Sequence, residues 1–208
     1  MMAEISELPP VTRPMTLIGI AITGVLVSAL FGGITNAFND WVSPNYFVVV
    51  MQWDGIDDTG LASVAQGILE GIIFGVIFSL LFTVATGLIT LASCSFGFAF
   101  RHMLWILLGV FGCWVVGGLL AMGLATLSPK LYRGLFIGVP REFGPMLGYA
   151  WVGGSIVGAQ LGGFVSVLMG LVILRANWLR SGKCNPNPER ERAGLPGFEG
   201  DVRRTPLR

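Results

Sequence analysis

Glu70 is the only acidic residue that lies well inside an apolar stretch of this sequence, in QGILEGIIFG. A carboxylate in hydrocarbon is costly unless it is protonated, paired or hydrated, so such a residue is a candidate proton or cation site. The alternative is a packing residue that hydrogen-bonds Asn36, Gln66 or Gln160, or an acid that lies nearer to the membrane surface. The sequence alone leaves these alternatives open.

A second polar group, Asn36, Asn39 and Asp40, ends the first apolar stretch. With Glu70 and Gln160 it could line a small polar pocket on one side of a membrane. Short polar side chains also cap helix ends and occupy membrane interfaces. We therefore take Glu70, Asn36, Asp40 and Gln160 as a candidate polar or ion site, with capping as the alternative.

His102 is the only histidine and stands beside Arg101. A histidine can ligate a haem iron or a chlorophyll magnesium, which makes His102 a weak candidate metal ligand. A solvated position at the membrane interface is the favoured interpretation, and no cofactor or other metal site is predicted. The cysteines share no CxxC spacing and predict neither a disulfide framework nor a zinc site.

Catalytic and nucleic-acid-binding motifs are missing from the sequence. It contains no Walker-type glycine loop, no HExxH and no GxSxG. Basic residues form no patch in the body of the chain, which argues against nucleic acid as a partner. We therefore predict a protein that is not an enzyme.

The elements that carry these residues are predicted to span a membrane. Of the 208 residues, 53% are hydrophobic and only 12% are charged, whereas about a quarter are charged in soluble domains. Each crossing needs about 20 predominantly apolar residues. The sequence therefore predicts an all-α, multi-pass membrane protein in contact with lipid, with spans at 15–38, 63–92, 104–127 and 146–174.

The segments between the spans define the predicted topology. They are an N-terminal segment 1–14, outer loops 39–62 and 128–145, an inner connection 93–103 and a basic, Pro-rich tail 175–208. Basic residues in short flanking segments stay on the cytoplasmic side. Of the 13 Lys and Arg residues, only Lys130, Arg133 and Arg141 fall on the outer side, so both termini are predicted to be cytoplasmic.

One unit recurs in the chain. GGITNAFNDWVSPNYF at 32–47 matches GGLLAMGLATLSPKLY at 117–132, and each stretch is followed by glycines at four-residue intervals. These glycines are Gly67, Gly71 and Gly75 in the first copy, and Gly154, Gly158 and Gly162 in the second. The order predicts two tandem helix-loop-helix units, 15–92 and 104–174, related as a parallel repeat.

Glycines four residues apart lie on one helix face and allow close helix packing. The two glycine ladders are expected to pack against each other inside the protein, or one of them faces outward and binds another subunit. The copies differ in polarity at one place. The first copy has Asn36, Asn39 and Asp40 where the second has Ala121, Leu124 and Ala125.

Two functional hypotheses follow. The first is a non-catalytic accessory or structural subunit that packs against other membrane subunits or against itself through its Gly-rich helix faces, its outer loops and its tail. The alternative is a small oligomeric transporter or channel with Glu70 near the pathway. A Glu70 that faces a water-filled cavity favours transport, and a Glu70 sealed among side chains with a hydrogen-bond partner favours the accessory subunit.

Overall fold

The computed structural model describes residues 14–181, so the first 13 residues and most of the predicted tail lie outside the described residues. Within this range the chain forms six helices. They are α1 (Pro14–Val42), α2 (Pro44–Met51), α3 (Thr59–Thr90), α4 (Phe96–Leu127), α5 (Pro129–Leu135) and α6 (Phe143–Arg180). The four long helices α1, α3, α4 and α6 are each long and apolar enough to cross a membrane, which supports a multi-pass membrane protein.

Each long helix is longer than its predicted span, although α3 ends at Thr90, two residues before the predicted end at 92. In hydrocarbon every backbone N–H and C=O must be paired internally, which favours uninterrupted helices. The 38 residues of α6 give a length of about 57 Å at 1.5 Å per residue. A hydrocarbon core is about 30 Å thick, so α6 tilts or continues into the headgroup region.

The two predicted outer loops each contain a short helix, α2 or α5. Both helices begin at the proline of a Ser-Pro pair, Pro44 or Pro129. Proline suits the first helical position because its missing N–H would have no partner there. Phe47 and Tyr132, each three residues after its proline, are buried and anchor the short helices. We call the end of the molecule that carries α2 and α5 the outer end.

The glycine ladders pack within the units. The prediction that they pack against each other is wrong, and neither ladder faces outward. Gly67 and Gly71 of α3 lie against Gly32 of α1, and Gly154 and Gly158 of α6 lie against Gly117 of α4. Each ladder meets a matching row of small residues in the first helix of its own unit, which lets the two backbones touch.

The contacts of the two helix pairs, α1 with α3 and α4 with α6, correspond rung by rung. In the first pair the rungs join Gly24 to Ser79, Ser28 to Gly75 and Gly71, Gly32 to Gly67 and Gly71, and Asn36 to Gly67. In the second pair they join Gly109 to Ser166, Cys113 to Gly162 and Gly158, Gly117 to Gly158 and Gly154, and Ala121 to Gly154. The order that repeats in the sequence therefore repeats in the contacts.

The boundary between the two pairs is built differently, because larger side chains meet there. Phe78 of α3 packs edge-on against Phe164 of α6, with ring centroids 4.9 Å apart, and Phe31 of α1 meets Phe111 of α4 at 6.4 Å. An apolar core that includes Ile20, Phe82, Ile106, Val167 and Leu174 fills the inner half of the bundle.

Candidate functional site

A cavity of about 150 Å³ lies between the two pairs, and all four long helices contribute to its lining. Seven residues with hydroxyl, amide or carboxyl side chains line it: Ser28, Thr35, Asn36 and Asn39 from α1, Glu70 and Ser79 from α3, and Gln160 from α6. Three of them belong to the predicted polar site, Asn39 belongs to the polar group that the sequence placed beside it, and the fourth predicted site residue, Asp40, lies elsewhere.

The cavity is polar at its outer end and apolar at its inner end. Asn36 and Asn39 lie near the outer end of α1 and approach Trp114 of α4 in the lining. Toward the inner end the lining consists mainly of Phe78, Phe82, Met103, Ile106 and Val167. The shape therefore suits a molecule with one polar end and an apolar body.

Three N–H groups at the polar end have no hydrogen-bond partner in the described part of the chain. They are Asn36 Nδ2, Asn39 Nδ2 and Trp114 Nε1, on side chains that are only 4%, 0% and 6% exposed. The Asn39 amide is oriented by its oxygen, since Ser155 Oγ donates to Asn39 Oδ1 at 3.2 Å. An unpaired buried donor costs about 1–3 kcal/mol, although the side-chain oxygens of Asn36, Glu70 and Gln160 belong to the same lining.

Glu70 combines the two environments that the sequence offered as alternatives. It lines the cavity, and Gln66 Nε2, one turn earlier on α3, donates to Glu70 Oε1 at 2.9 Å. The carboxylate is half-buried. This bond runs along the surface of one helix and pairs one carboxylate oxygen, so it does not separate Glu70 from the cavity.

Asp40, in the last turn of α1, lies beside the start of α3. Its Oδ2 would be 3.5 Å from a Cβ added at Gly60, and the neighbouring Asp58 Oδ1 accepts a hydrogen bond from the Leu61 N–H at 2.9 Å. Carboxylates near a helix N-terminus are favoured by the helix dipole. Asp40 therefore lies beside the N-terminus of α3, which Asp58 caps, and does not line the pocket.

His102 is buried, with 4% of its surface exposed, so the prediction of a solvated interfacial residue is wrong. Its Nδ1 lies 2.8 Å from the Phe98 carbonyl oxygen, and its Nε2 lies 3.1 Å from Asn177 Nδ2. The ring donates through Nδ1 and accepts through Nε2, which leaves neither nitrogen free for a metal. Within residues 14–181 no three His, Cys, Asp or Glu side chains are grouped for a metal ion.

Tyr46 of α2 lies against Tyr149 of α6, with ring centroids 4.9 Å apart. Burial raises the pKa of Tyr46 to about 12, and the neighbouring Tyr149 and Glu70 add smaller effects in the same direction. Burial also raises the pKa of Tyr132 on α5 to about 12. Tyr149 donates to the Ile137 carbonyl oxygen at 2.6 Å, which ties the segment after α5 to α6.

The sequence prediction missed Trp114 and Ser155. Trp114 lies in the middle of the predicted span 104–127, where its N–H must find a partner or remain unpaired. Its position in the middle of a span was therefore the sequence feature that could have marked Trp114 as a site residue. Ser155 carries no comparable signal, because a serine in an apolar helix usually bonds its own backbone, as Ser155 also does with Val152 O.

Similarity to known proteins gives no indication of the function of this chain. The chain matches no protein-family model, no curated protein and no solved structure.

Proposed function

We propose that this protein is a carrier that binds a small molecule with a polar end and an apolar body in the cavity between its two helix pairs. One observation carries the proposal: polar residues from three of the long helices converge on a cavity to which all four contribute. Ligand sites commonly combine an apolar lining with a few convergent polar groups. Glu70 lines this cavity, which supports transport, and its hydrogen bond with Gln66 is the feature expected of the accessory subunit.

The two pairs are the moving parts in this proposal. We infer that they are copies of one duplicated unit, related as a parallel repeat, because the same rungs recur in both pairs. Backbone contact along each ladder makes each pair a rigid body, whereas side chains and a cavity lie between the pairs. Rocking of one repeat against the other is a common transport movement, and this boundary is where it would cost least.

A carrier fits the cavity better than an ion channel. Below the polar end, Phe78, Phe82, Ile106 and Val167 line the space, and an ion that crosses such a lining loses hydration without gaining ligands. A solute with an apolar body gains contact at the same side chains.

The orientation with cytoplasmic termini is part of the proposal. Within residues 14–181 the basic residues are evenly divided, with Arg101, Arg175 and Arg180 near the inner end and Lys130, Arg133 and Arg141 near the outer end. The orientation therefore rests on the other seven basic residues of the sequence, which belong to the predicted N-terminal segment and tail on the inner side. The polar end of the cavity then faces the outside.

The accessory-subunit hypothesis remains a competing proposal. One of its expected docking surfaces, the glycine-rich helix face, is used inside the protein, since both glycine ladders are covered by the first helix of their own unit. A partner would have to bind elsewhere on the chain. Purification from the native membrane in mild detergent tests it, because a large stoichiometric partner would support the subunit and a lone homo-oligomer would contradict it.

Thiol accessibility tests the carrier. In a background where Cys94, Cys113 and Cys184 are serine, single cysteines replace Thr35 at the outer end of the cavity or Met103 at the inner end. Proteoliposomes of known orientation are treated with a membrane-impermeant maleimide from either side.

The carrier predicts that each position is modified from both sides, at different rates. A cross-link between Phe31→Cys and Phe111→Cys, made across the pair boundary with a bifunctional thiol reagent, should abolish modification from one side. A cysteine at the lipid-facing Leu30, which is well exposed on the surface of α1, is the control and should react from neither side. Modification of Thr35→Cys from the outside only, with Met103→Cys unreactive, would contradict a carrier.

A further inference from the structure

Glu70 is the only ionisable residue in the lining of the cavity between the two helix pairs. Gln66 Nε2 donates to Glu70 Oε1 at 2.9 Å, and within residues 14–181 Glu70 has no other hydrogen-bond partner and no ion pair. Its second carboxylate oxygen, Oε2, is not among the covered side-chain atoms. Tyr46 of α2 lies within electrostatic reach of Glu70, and its neutral phenol supplies no positive charge. The cavity therefore contains a carboxylate with one accessible oxygen and no counter-charge.

Glu70 begins a row of cavity-lining side chains on α3. Phe74 and Phe78 follow at four-residue intervals and line the same cavity, and their rings stack with centroids 6.0 Å apart. Residues four apart are neighbours on one helix face, with Cβ atoms about 5–6 Å apart. The carboxylate is therefore followed, one turn toward the inner end, by an aromatic wall. The face of an aromatic ring attracts a cation, so both parts of this row favour positive charge.

The other polar atoms that reach the cavity favour the same sign of charge. The N–H groups of Asn36, Asn39 and Trp114 are covered by protein atoms, so they cannot contact a ligand. Asn36 Oδ1 is not covered in this way, and Gln160 adds a second amide oxygen to the lining. Both oxygens are hydrogen-bond acceptors. No Lys or Arg of residues 14–181 lines the cavity, so an anion would lack a counter-charge there.

Helix packing does not explain the carboxylate. Gly67 of α3 and Gly154 of α6 occupy the same rung of the two ladders, so Val157 is the equivalent of Glu70. Val157 is exposed on the surface of α6, and the second pair forms its ladder without an acid. A carboxylate inside a membrane is costly unless a cation, a proton or water meets it. Glu70 therefore fits a task other than the ladder.

The space beside Glu70 limits the size and kind of cation. The cavity has about 150 Å³, and an apolar cavity of about this volume holds a benzene ring in another protein. A calcium or magnesium ion takes about six or more oxygen ligands, whereas the wall that follows Glu70 is aromatic. An organic cation with a single ring matches both the carboxylate and this wall.

We propose that the cavity binds a small ammonium compound, with its positive nitrogen at Glu70 and a single apolar ring against Phe74 and Phe78. The inference rests on the proposed function for the location of the site and adds the chemical class of its ligand. An ammonium N–H would donate to Glu70 Oε2, and Glu70 Oε1 would keep its bond with Gln66.

The experiment uses three probes of nearly equal shape. They are para-fluorobenzylamine, which is protonated at neutral pH, para-fluorobenzyl alcohol, and para-fluoroethylbenzene, in which a methyl group replaces the ammonium group. Binding to the full chain in nonionic detergent is measured by fluorine NMR, with protein-free micelles as the partition reference. We expect the amine to bind about tenfold to a hundredfold more tightly than the ethyl compound, as hydrogen bonding to a charged group predicts. The affinity of the alcohol should lie between the two.

Two variants separate the charge of Glu70 from its structural role. Glu70→Gln removes the charge and keeps an oxygen that can accept from Gln66, so it should lower the affinity for the amine to about that for the alcohol and leave the ethyl compound unaffected. Glu70→Asp keeps the charge and should retain a preference for the amine. Glu142→Gln is the matched control, because Glu142 is exposed at the start of α6 and lies outside the lining, and it should change no affinity. Thermal unfolding identifies a variant that is misfolded.

Equal affinity of the amine and the ethyl compound for the unaltered protein would overturn the proposal, as would a preference for the amine that persists in Glu70→Gln. Tighter binding of the alcohol than of the amine would replace the cation with a neutral donor and reject the proposed class, and binding of no probe would reject the site. The thiol assay separates these failures from failure of the carrier. Two-sided access without preference for the amine rejects only the ligand class, and preference for the amine without two-sided access rejects only the carrier.

Discussion

Gly158→Ala tests the close packing on which the architecture depends. An added Cβ at Gly158 would lie 2.9 Å from Gly117 Cα and closer still to the Cys113 carbonyl oxygen. Both neighbours are backbone atoms, so α4 and α6 must separate by several tenths of an ångström along the ladder. Overpacking of this kind costs about 1–3 kcal/mol, and the higher helix propensity of alanine returns about 1 kcal/mol. We expect a net loss of about 2 kcal/mol at most.

Gly112→Ala is the matched control on α4. A Cβ there meets nothing within 4 Å, so only the propensity gain of up to about 1 kcal/mol applies. Reversible unfolding by SDS in mixed micelles measures both variants, and the two free energies of unfolding should shift in opposite directions. If Gly158→Ala were as stable as Gly112→Ala, the backbones would not be in contact and the reasoning would be refuted.

The equivalent change in the first pair extends this test. A Cβ at Gly71 would lie 2.8 Å from Ala29 Cα and closer to the Ser28 carbonyl oxygen. Gly71→Ala should therefore destabilise the protein by about as much as Gly158→Ala. A large effect in one pair alone would contradict the equivalence of the two pairs.

Three further predictions follow from single groups. Asn36→Leu should raise the free energy of unfolding of the ligand-free protein by about 1–3 kcal/mol, because it removes an unpaired donor. Asn177→Leu should lower that free energy by a similar amount, because it leaves a buried imidazole nitrogen unpaired. SDS unfolding compares the two variants, and a shift of the same sign in both would contradict the assignment of unpaired and paired groups. The phenols of Tyr46 and Tyr132 should ionise near pH 12 instead of 10 in an ultraviolet titration. Because the folded state favours the neutral phenols, they contribute stability below pH 10 that is lost as the pH rises toward 12. Ionisation of all tyrosines near pH 10 would contradict the burial of these two. A cysteine at Asp57 should react with an impermeant maleimide from the outside of the membrane only, and labelling from the inside would reverse the proposed orientation.

The sequence predicted the helical class, the four apolar helices and the repeated order of small residues. It did not predict which helix each ladder faces, because periodicity identifies a face and not its neighbour. The information was nevertheless present. Gly24, Ser28 and Gly32 in α1, like Gly109, Cys113 and Gly117 in α4, are small residues at four-residue intervals. These rows are the complementary surfaces that glycine ladders require.

The site was predictable in part for a similar reason. Asn36 and Asn39 are three residues apart and share a helix face, and the same spacing rule allowed Asp40 as well. Asp40 differs from them because it lies beside the start of α3. That neighbour is a tertiary feature, which the sequence does not reveal. The lack of acceptors for Trp114 is also tertiary, since it depends on what each of the four helices presents to one cavity.

The two pairs differ where they face the cavity, and this difference bears on function more than the ladders do. A protein that needed only two tight helix pairs would be more stable with an apolar residue at Asn36, as the contact of Ala121 with Gly154 indicates. Each unpaired donor costs about 1–3 kcal/mol, and whole domains are stable by only about 5–15 kcal/mol. The amide at Asn36 is therefore a polar feature that the helix packing of the first pair does not require, and it belongs to the lining of the cavity.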